Sequence, residues 1–247
     1  NCIVFQNYND EEVIVSGTIP VTNNWSQWSQ NSNVWKTTVA QDVWQLFVDG
    51  KSMTGARWPN VQKDWMEPDS GDGHNPTPFS YWDQETTWAT ITDSSSWGHL
   101  VNDDLKFDLS SQNKSYEGGI LVGFRCLATG NNIFNALITN HVAGTADLYH
   151  AKEQYGESPN ESQPASGARY FIEGHINCLD APGEWFYDKD TGELYAWFHD
   201  GGSPSGRMIE GKVENFALAL TDSEFLDFRG ITLFGAAFKL DQTYDTT

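Results

Sequence analysis

The chain of 247 residues carries 14 Lys and Arg against 34 Asp and Glu, a formal charge of −20 at pH 7, which opposes binding to phosphate backbones and anionic lipid surfaces. Hydrophobic residues make up 38% and aromatics 14%, enough large apolar groups to exclude a disordered polymer despite the polar average. No apolar run reaches the ~18 residues of a membrane-spanning helix, and Cys2, Cys126 and Cys178 lack the spacing of a zinc site.

In chain order the elements read as all-β. Short alternating runs at Glu12–Gly17, Val34–Val39 and Val43–Val48 predict strands, and Asp49-Gly50 after the last of them predicts a hairpin turn. From Pro59 to about Ser115 the sequence turns loop-like, with Pro68, Gly71, Gly73, Pro76 and Pro78 set among Trp65, Trp82, Trp88 and Trp97. Strand patterns return at Gly119–Phe124, around Ile133–Thr139 and at Ala146–Tyr149, followed by a polar loop from about Glu153 to Gly167. Gly183–Phe198 predicts a second hairpin, in which aromatic strands flank a loop whose Gly192 can take positive φ. Phe216–Leu220 and Leu226–Gly235 are period-two strands broken by a bend at Gly230, the pattern of a solenoid coil, with Phe216, Leu218, Leu226, Phe228, Ile231 and Leu233 as apolar rows for its inside.

Several residues could carry chemistry. Arg57-Trp58 offers a guanidinium beside an indole, a sugar platform by chemistry, although a core Trp with a structural Arg is the commoner use of that pair. Glu184 follows the Pro182-Gly183 turn, with Asp180 close by, and these two are the candidate substrate-binding carboxylates; the structural alternative is a turn cap or an ion pair. The loops Asp188–Glu193 and Asp69–His74 are rich in oxygen ligands but fall short of the six that calcium takes, so no cofactor is expected and Ca²⁺ is a minor candidate. His74, His99, His141 and His175 show no metal spacing. Nine of the 11 Trp lie between Trp25 and Trp97, where they could build either a glycan face or a sandwich core. Asn24, Asn113 and Asn160 open N-x-[ST] sequons in polar stretches, the candidate glycosylation sites. Cys126 and Cys178 sit in strand-like segments and are expected to bridge in an oxidising compartment.

Taken in order, Val13-Ile14-Val15-Ser16-Gly17-Thr18, Trp44–Lys51, Ala56-Arg57-Trp58-Pro59-Asn60, Pro182–Asp188 with Gly192-Glu193-Leu194-Tyr195, and Phe228–Leu233 resemble secreted right-handed parallel β-helix proteins. These are proteins of the pectate-lyase-like superfamily, related to glycoside hydrolases of fucosidase or xylanase type. The resemblance implies an early β-helix coil over 1–20, a β-sandwich-like insertion over 21–205 and a resumed coil over 206–247, with further coils on both sides and self-assembly through uncapped solenoid ends. It also implies an extracellular protein acting on polysaccharide. A neutral polysaccharide fits the −20 charge better than an acidic one, with no nucleic acid or membrane partner. The family's catalytic acids fall on later coils, and no position here matches them, so no catalytic residue is assigned. A non-catalytic structural or glycan-binding component stands as the alternative.

Overall fold

The computed structural model describes residues 3–61, 87–96, 98–108, 111–124, 133–151 and 166–241. Almost every element is a strand; among the described residues the α-helix is the single turn Asp104–Phe107. The chain divides into two compact units, one made of the described residues of Asn1–Met53, Tyr187–Tyr195 and Ser203–Thr247, the other of those of Thr54–Phe186 and Ala196–Gly202.

Two kinds of ladder build the first unit. Three two-stranded parallel pairs join its beginning to its end: Ile3–Gln6 with Leu226–Arg229, Val13–Ser16 with Ile231–Phe234, and Phe216–Thr221 with Ala237–Asp241. Like stacks on like in these registers. Phe5 faces Phe228 with ring centroids 5.0 Å apart and planes within 8°, and Leu220 faces Leu240, so these pairs add aromatic and aliphatic contact to the ladder. The remaining strands are antiparallel. Thr18–Pro20, Ile209–Lys212, Gln45–Val48 and Lys51–Ser52 form a four-stranded sheet over a core of Val21, Val43, Leu46, Phe47 and Ile209. Ser26–Trp28 pairs with Asn31–Thr38.

The Asp49-Gly50 hairpin is present as expected: Val48 pairs with Lys51, and Asp49 and Gly50 both hold positive φ, 52° and 76°. Two central residues in the left-handed region match the twist of the flanking strands.

In the second unit one antiparallel sheet takes eight strands, in the order Ala89–Thr90, Arg169–Glu173, Ile120–Phe124, Ile133–His141, Asp147–His150, His99–Val101 and Asp93–Ser96, with Arg57–Trp58 also paired to Arg169–Glu173. Alternation along Ile133–His141 buries Phe134, Ala136 and Ile138 and leaves Ile133, Asn135 and Leu137 outside, the signature of a sheet packed on one face.

Two expectations need correction. The pairing is mostly antiparallel: where β-helix coils were expected over 1–20 and 206–247, the described residues form parallel ladders of only two strands each, and a further parallel pairing among them joins Thr54–Gly55 to Glu184–Asp188. The stretch 59–115 is not simply loop: where described it carries three strands of two to four residues and the helical turn. Segments that short show no apolar period and take their conformation from neighbouring strands. In the expected coil strands Leu226 is buried, whereas Phe216 is 46% exposed.

Gly17 shows how tightly the first unit closes. Its N–H donates to Phe234 O and its carbonyl accepts from Val213 and Glu214, and a Cβ there would stand 2.5 Å from Ala236 Cβ and 3.0 Å from Glu214 O. Gly17→Val is therefore expected to cost ~1–3 kcal/mol by overpacking, read as a lowered denaturant midpoint. Adding Ala236→Gly should recover part of that loss, because the nearest obstructing atom is gone while the carbonyls stay. An unchanged midpoint in Gly17→Val would refute the close packing.

Candidate functional site

Arg57 and Trp58 are consecutive residues of one strand, so their side chains leave on opposite faces of the sheet. The Trp58 indole is 1% exposed and lies against Tyr116 and Tyr170 at ring distances of 6.0 and 6.2 Å. On the other face the Arg57 guanidinium, also 1% exposed, stands 3.9 Å from the Phe171 ring centroid and 5.8 Å from that of Trp88. Its Nη2 donates to Thr87 O at 2.6 Å and its Nε to Pro59 O at 3.2 Å. Adjacency in sequence thus does not bring the Arg57 guanidinium and the Trp58 indole together: Trp58 fills a core, and Arg57 is a buried cation held by two carbonyls and aromatic faces.

Glu184 opens the strand Glu184–Asp188 and is 3% exposed. Its Oε2 accepts the backbone N–H groups of Asp180 and Ala181 at 3.1 and 3.2 Å, and its Oε1 accepts that of Arg57 at 3.4 Å. Burial, reinforced by the nearby Asp180 carboxylate, pushes its ionisation up to about 8, against the pull of the three N–H donors. Asp180 Oδ2 accepts from Lys114 Nζ at 2.5 Å, in a half-buried ion pair, while its Oδ1 is buried with no hydrogen-bond partner among the described residues. Behind the pair lies Tyr116, fully buried, whose phenol is pushed far up by desolvation and by Cys178 and Asp180.

Of the four residues singled out in the sequence, the fold brings Asp180 and Glu184 into one electrostatic cluster and ties Arg57 to it through its backbone N–H. Trp58 faces away from that contact. Lys114 was missed. It lies 66 residues from Asp180, and nothing local to Asn113-Lys114-Ser115 signals the pairing.

Elsewhere the expected candidates resolve into structure. Asp188 Oδ1 accepts Asp190 N–H, Gly192 N–H returns to Asp188 O, and Glu193 pairs with Lys36 at 2.6 Å, so the 188–193 loop uses its oxygens as a turn. His141 Nδ1 accepts Tyr116 N–H and His175 Nδ1 accepts Asn177 N–H, and burial lowers the ionisation of both rings. His99 bonds Asp147 at 2.8 Å and stacks on Tyr149. Among the described residues no group of three or more His, Cys, Asp or Glu is placed to hold a metal ion. Cys178 is a free, buried thiol directed at Ile172 O, and its expected bridge partner Cys126 falls outside the described residues. Asn24 and Asn113 are exposed, whereas Asn160, Cys2, Cys126, the 69–74 loop, Trp65, Trp82 and Trp97 lie outside the described residues.

The Glu184 environment has a measurable signature. A carboxyl that ionises at about 8 when folded and near 4.5 when unfolded contributes its full stability below pH 4.5 and loses it as the pH rises through 8. The difference is on the order of 5 kcal/mol. In Glu184→Gln the missing acceptor weakens the fold at low pH, but the penalty on ionisation disappears. The stability gap between wild type and variant should therefore shrink or reverse between pH 5 and pH 9 in denaturant titrations; parallel profiles would contradict the buried, raised carboxyl.

No family model matches the chain, and no curated protein is significantly similar to it in sequence. Among solved structures, one described as a glycoside hydrolase is similar in fold, with a TM-score of 0.61 at 17% identity over 94% of this chain. The chain spans 38% of the length of that structure.

Proposed function

We propose that the chain is part of an extracellular carbohydrate-active protein of the glycoside-hydrolase kind, acting on a neutral polysaccharide. The observation that carries this reading is the likeness in fold to a glycoside hydrolase over nearly the whole chain. The three parallel pairs support reading its first and last strands as neighbouring coils of a right-handed β-helix. Side chains left open on those strands, among them Ile3 and Ile14 at 58% and 52% exposure, support another coil or a second copy stacking on them. The charge of −20 supports a neutral substrate, and the exposed sequons Asn24 and Asn113 support secretion.

A second reading, a glycan-binding or structural component without catalysis of its own, is favoured by the state of Asp180 and Glu184. Hydrolysis needs two carboxyl groups flanking a bound glycosidic bond, whereas these are committed to Lys114 and to backbone N–H groups.

The two readings part in one experiment. The chain is incubated with xylan, galactan and mixed-linkage glucan, and both new reducing ends and retardation in affinity gels are measured. Retardation with hydrolysis supports the enzyme, retardation alone supports the binding component, and neither outcome on any neutral polymer would refute the proposal. Heparin should not retain the chain in chelator at physiological salt, because the field of the protein opposes the encounter; retention would overturn the neutral-substrate assignment.

A further inference from the structure

The geometry points to a saccharide-binding cleft in the first unit, lined by Pro20, Asn23, Trp25, Pro204, Arg207 and Met208, that takes a single neutral sugar ring. The proposal rests on the carbohydrate-active reading and adds a place where the sugar binds.

The cleft encloses about 280 Å³, near the lower end of small-ligand pockets and matched to one sugar ring in place of a chain. Its floor is fixed by the sheet. Val21 N–H donates to Ile209 O at 2.8 Å, extending the pairing of Thr18–Pro20 with Ile209–Lys212, and both floor side chains are buried. The lining brings a Trp, two Pro and a Met together with an Asn and an Arg. A sugar ring asks for that mixture: a flat apolar surface for its C–H face, and donors at the edge for its hydroxyls.

Arg207 is the one charged side chain in the lining, and it is held in place. Its Nε donates to Ser203 O at 2.8 Å, and its Nη1 lies 3.8 Å from Asp49 Oδ2. Asp49 is fixed in turn. Its Oδ1 accepts Met208 N–H at 2.9 Å, its own N–H donates to Met208 O at 2.8 Å, and it occupies the left-handed corner of the 49–50 hairpin. A guanidinium oriented before the ligand arrives loses less entropy on binding. Because Asp49 offsets its charge within a chain of −20, the guanidinium is suited to a neutral ligand and not to a carboxylate or sulfate. Asp49 is a positioning residue; Arg207 and Trp25 are the contacts.

The test uses the whole chain made without N-glycans, since the sequon Asn24 lies between two lining residues. Galactose, xylobiose and cellobiose are titrated while the indole N–H signals are followed by NMR, with Trp25→Phe assigning the signal and glucuronate as the anionic control. At least one neutral sugar should shift the Trp25 signal saturably and more tightly than glucuronate. Trp25→Ala and Arg207→Gln should each weaken it at least tenfold, and Arg207→Lys, which keeps the charge but not the fork, should weaken it nearly as much as Arg207→Gln. Trp44→Ala, removing a half-exposed indole that is not part of the lining, should leave binding unchanged. Thermal unfolding of each variant checks that the fold is intact. A Trp25 signal indifferent to all three neutral sugars, tighter binding of glucuronate, or full affinity in Arg207→Lys would each overturn the proposal. If polysaccharide retention or hydrolysis persists in Trp25→Ala and Arg207→Gln, the cleft is wrong while the carbohydrate-active reading stands.

Discussion

The carboxyl of Glu184 collects three backbone N–H groups from two separate stretches of chain, those of Asp180 and Ala181 just before it and that of Arg57 from a strand 127 residues away in sequence. An amide buried without an acceptor costs ~1–3 kcal/mol, so this one side chain settles three such debts in a place where water does not reach. Fixing Arg57 N–H sets where the Arg57–Trp58 strand lies, and its register with Arg169–Glu173 then sends Trp58 into the core beside Ile172 and sets Arg57 opposite Glu173. The Glu173 carboxyl is pushed up by burial and drawn back by Arg57. A polar anchor thus organises an apolar sheet, and the cost of burying the carboxyl is offset by the order it imposes.

The same geometry explains which parts of the molecule were legible in the sequence. Signals carried by two or three neighbouring residues came through. The Asp49-Gly50 turn, the 188–192 turn and the alternation of Ile133–His141 depend on local φ and on period two, and both are visible in one dimension. What depends on sequence-distant partners did not. The strand Arg169–Glu173 is central to the sheet of the second unit, yet its short mixed pattern announced nothing, because its neighbours Ile120–Phe124, Ala89–Thr90 and Arg57–Trp58 define it. Arg57-Trp58 misled for a related reason: side by side in the text, the two residues are separated by the sheet itself.

Charge and location diverge in a similar way. The chain is strongly acidic as a whole, but its cations are not merely outnumbered; several are spent on fixed tasks. Lys114 holds Asp180, Lys36 holds Glu193, and Arg57 sits among Phe171, Trp88 and two carbonyls. A net charge read from composition predicts the far field, which governs encounter with polymers. It does not say where a positive group will be found, and the site chemistry turns on the latter.

The in-register pairing of Ile3–Gln6 with Leu226–Arg229 also has a meaning in time. A ribosome adds residues at ~5–20 per second, so the first strand emerges and then waits on the order of ten seconds or more for a partner made more than two hundred residues later. During that interval Ile3, Val4 and Phe5 lack the strand they pair with here, while the strands of the second unit are synthesised and can pair among themselves. The order of synthesis therefore favours the second unit folding before the ladder of Ile3–Gln6 with Leu226–Arg229 closes.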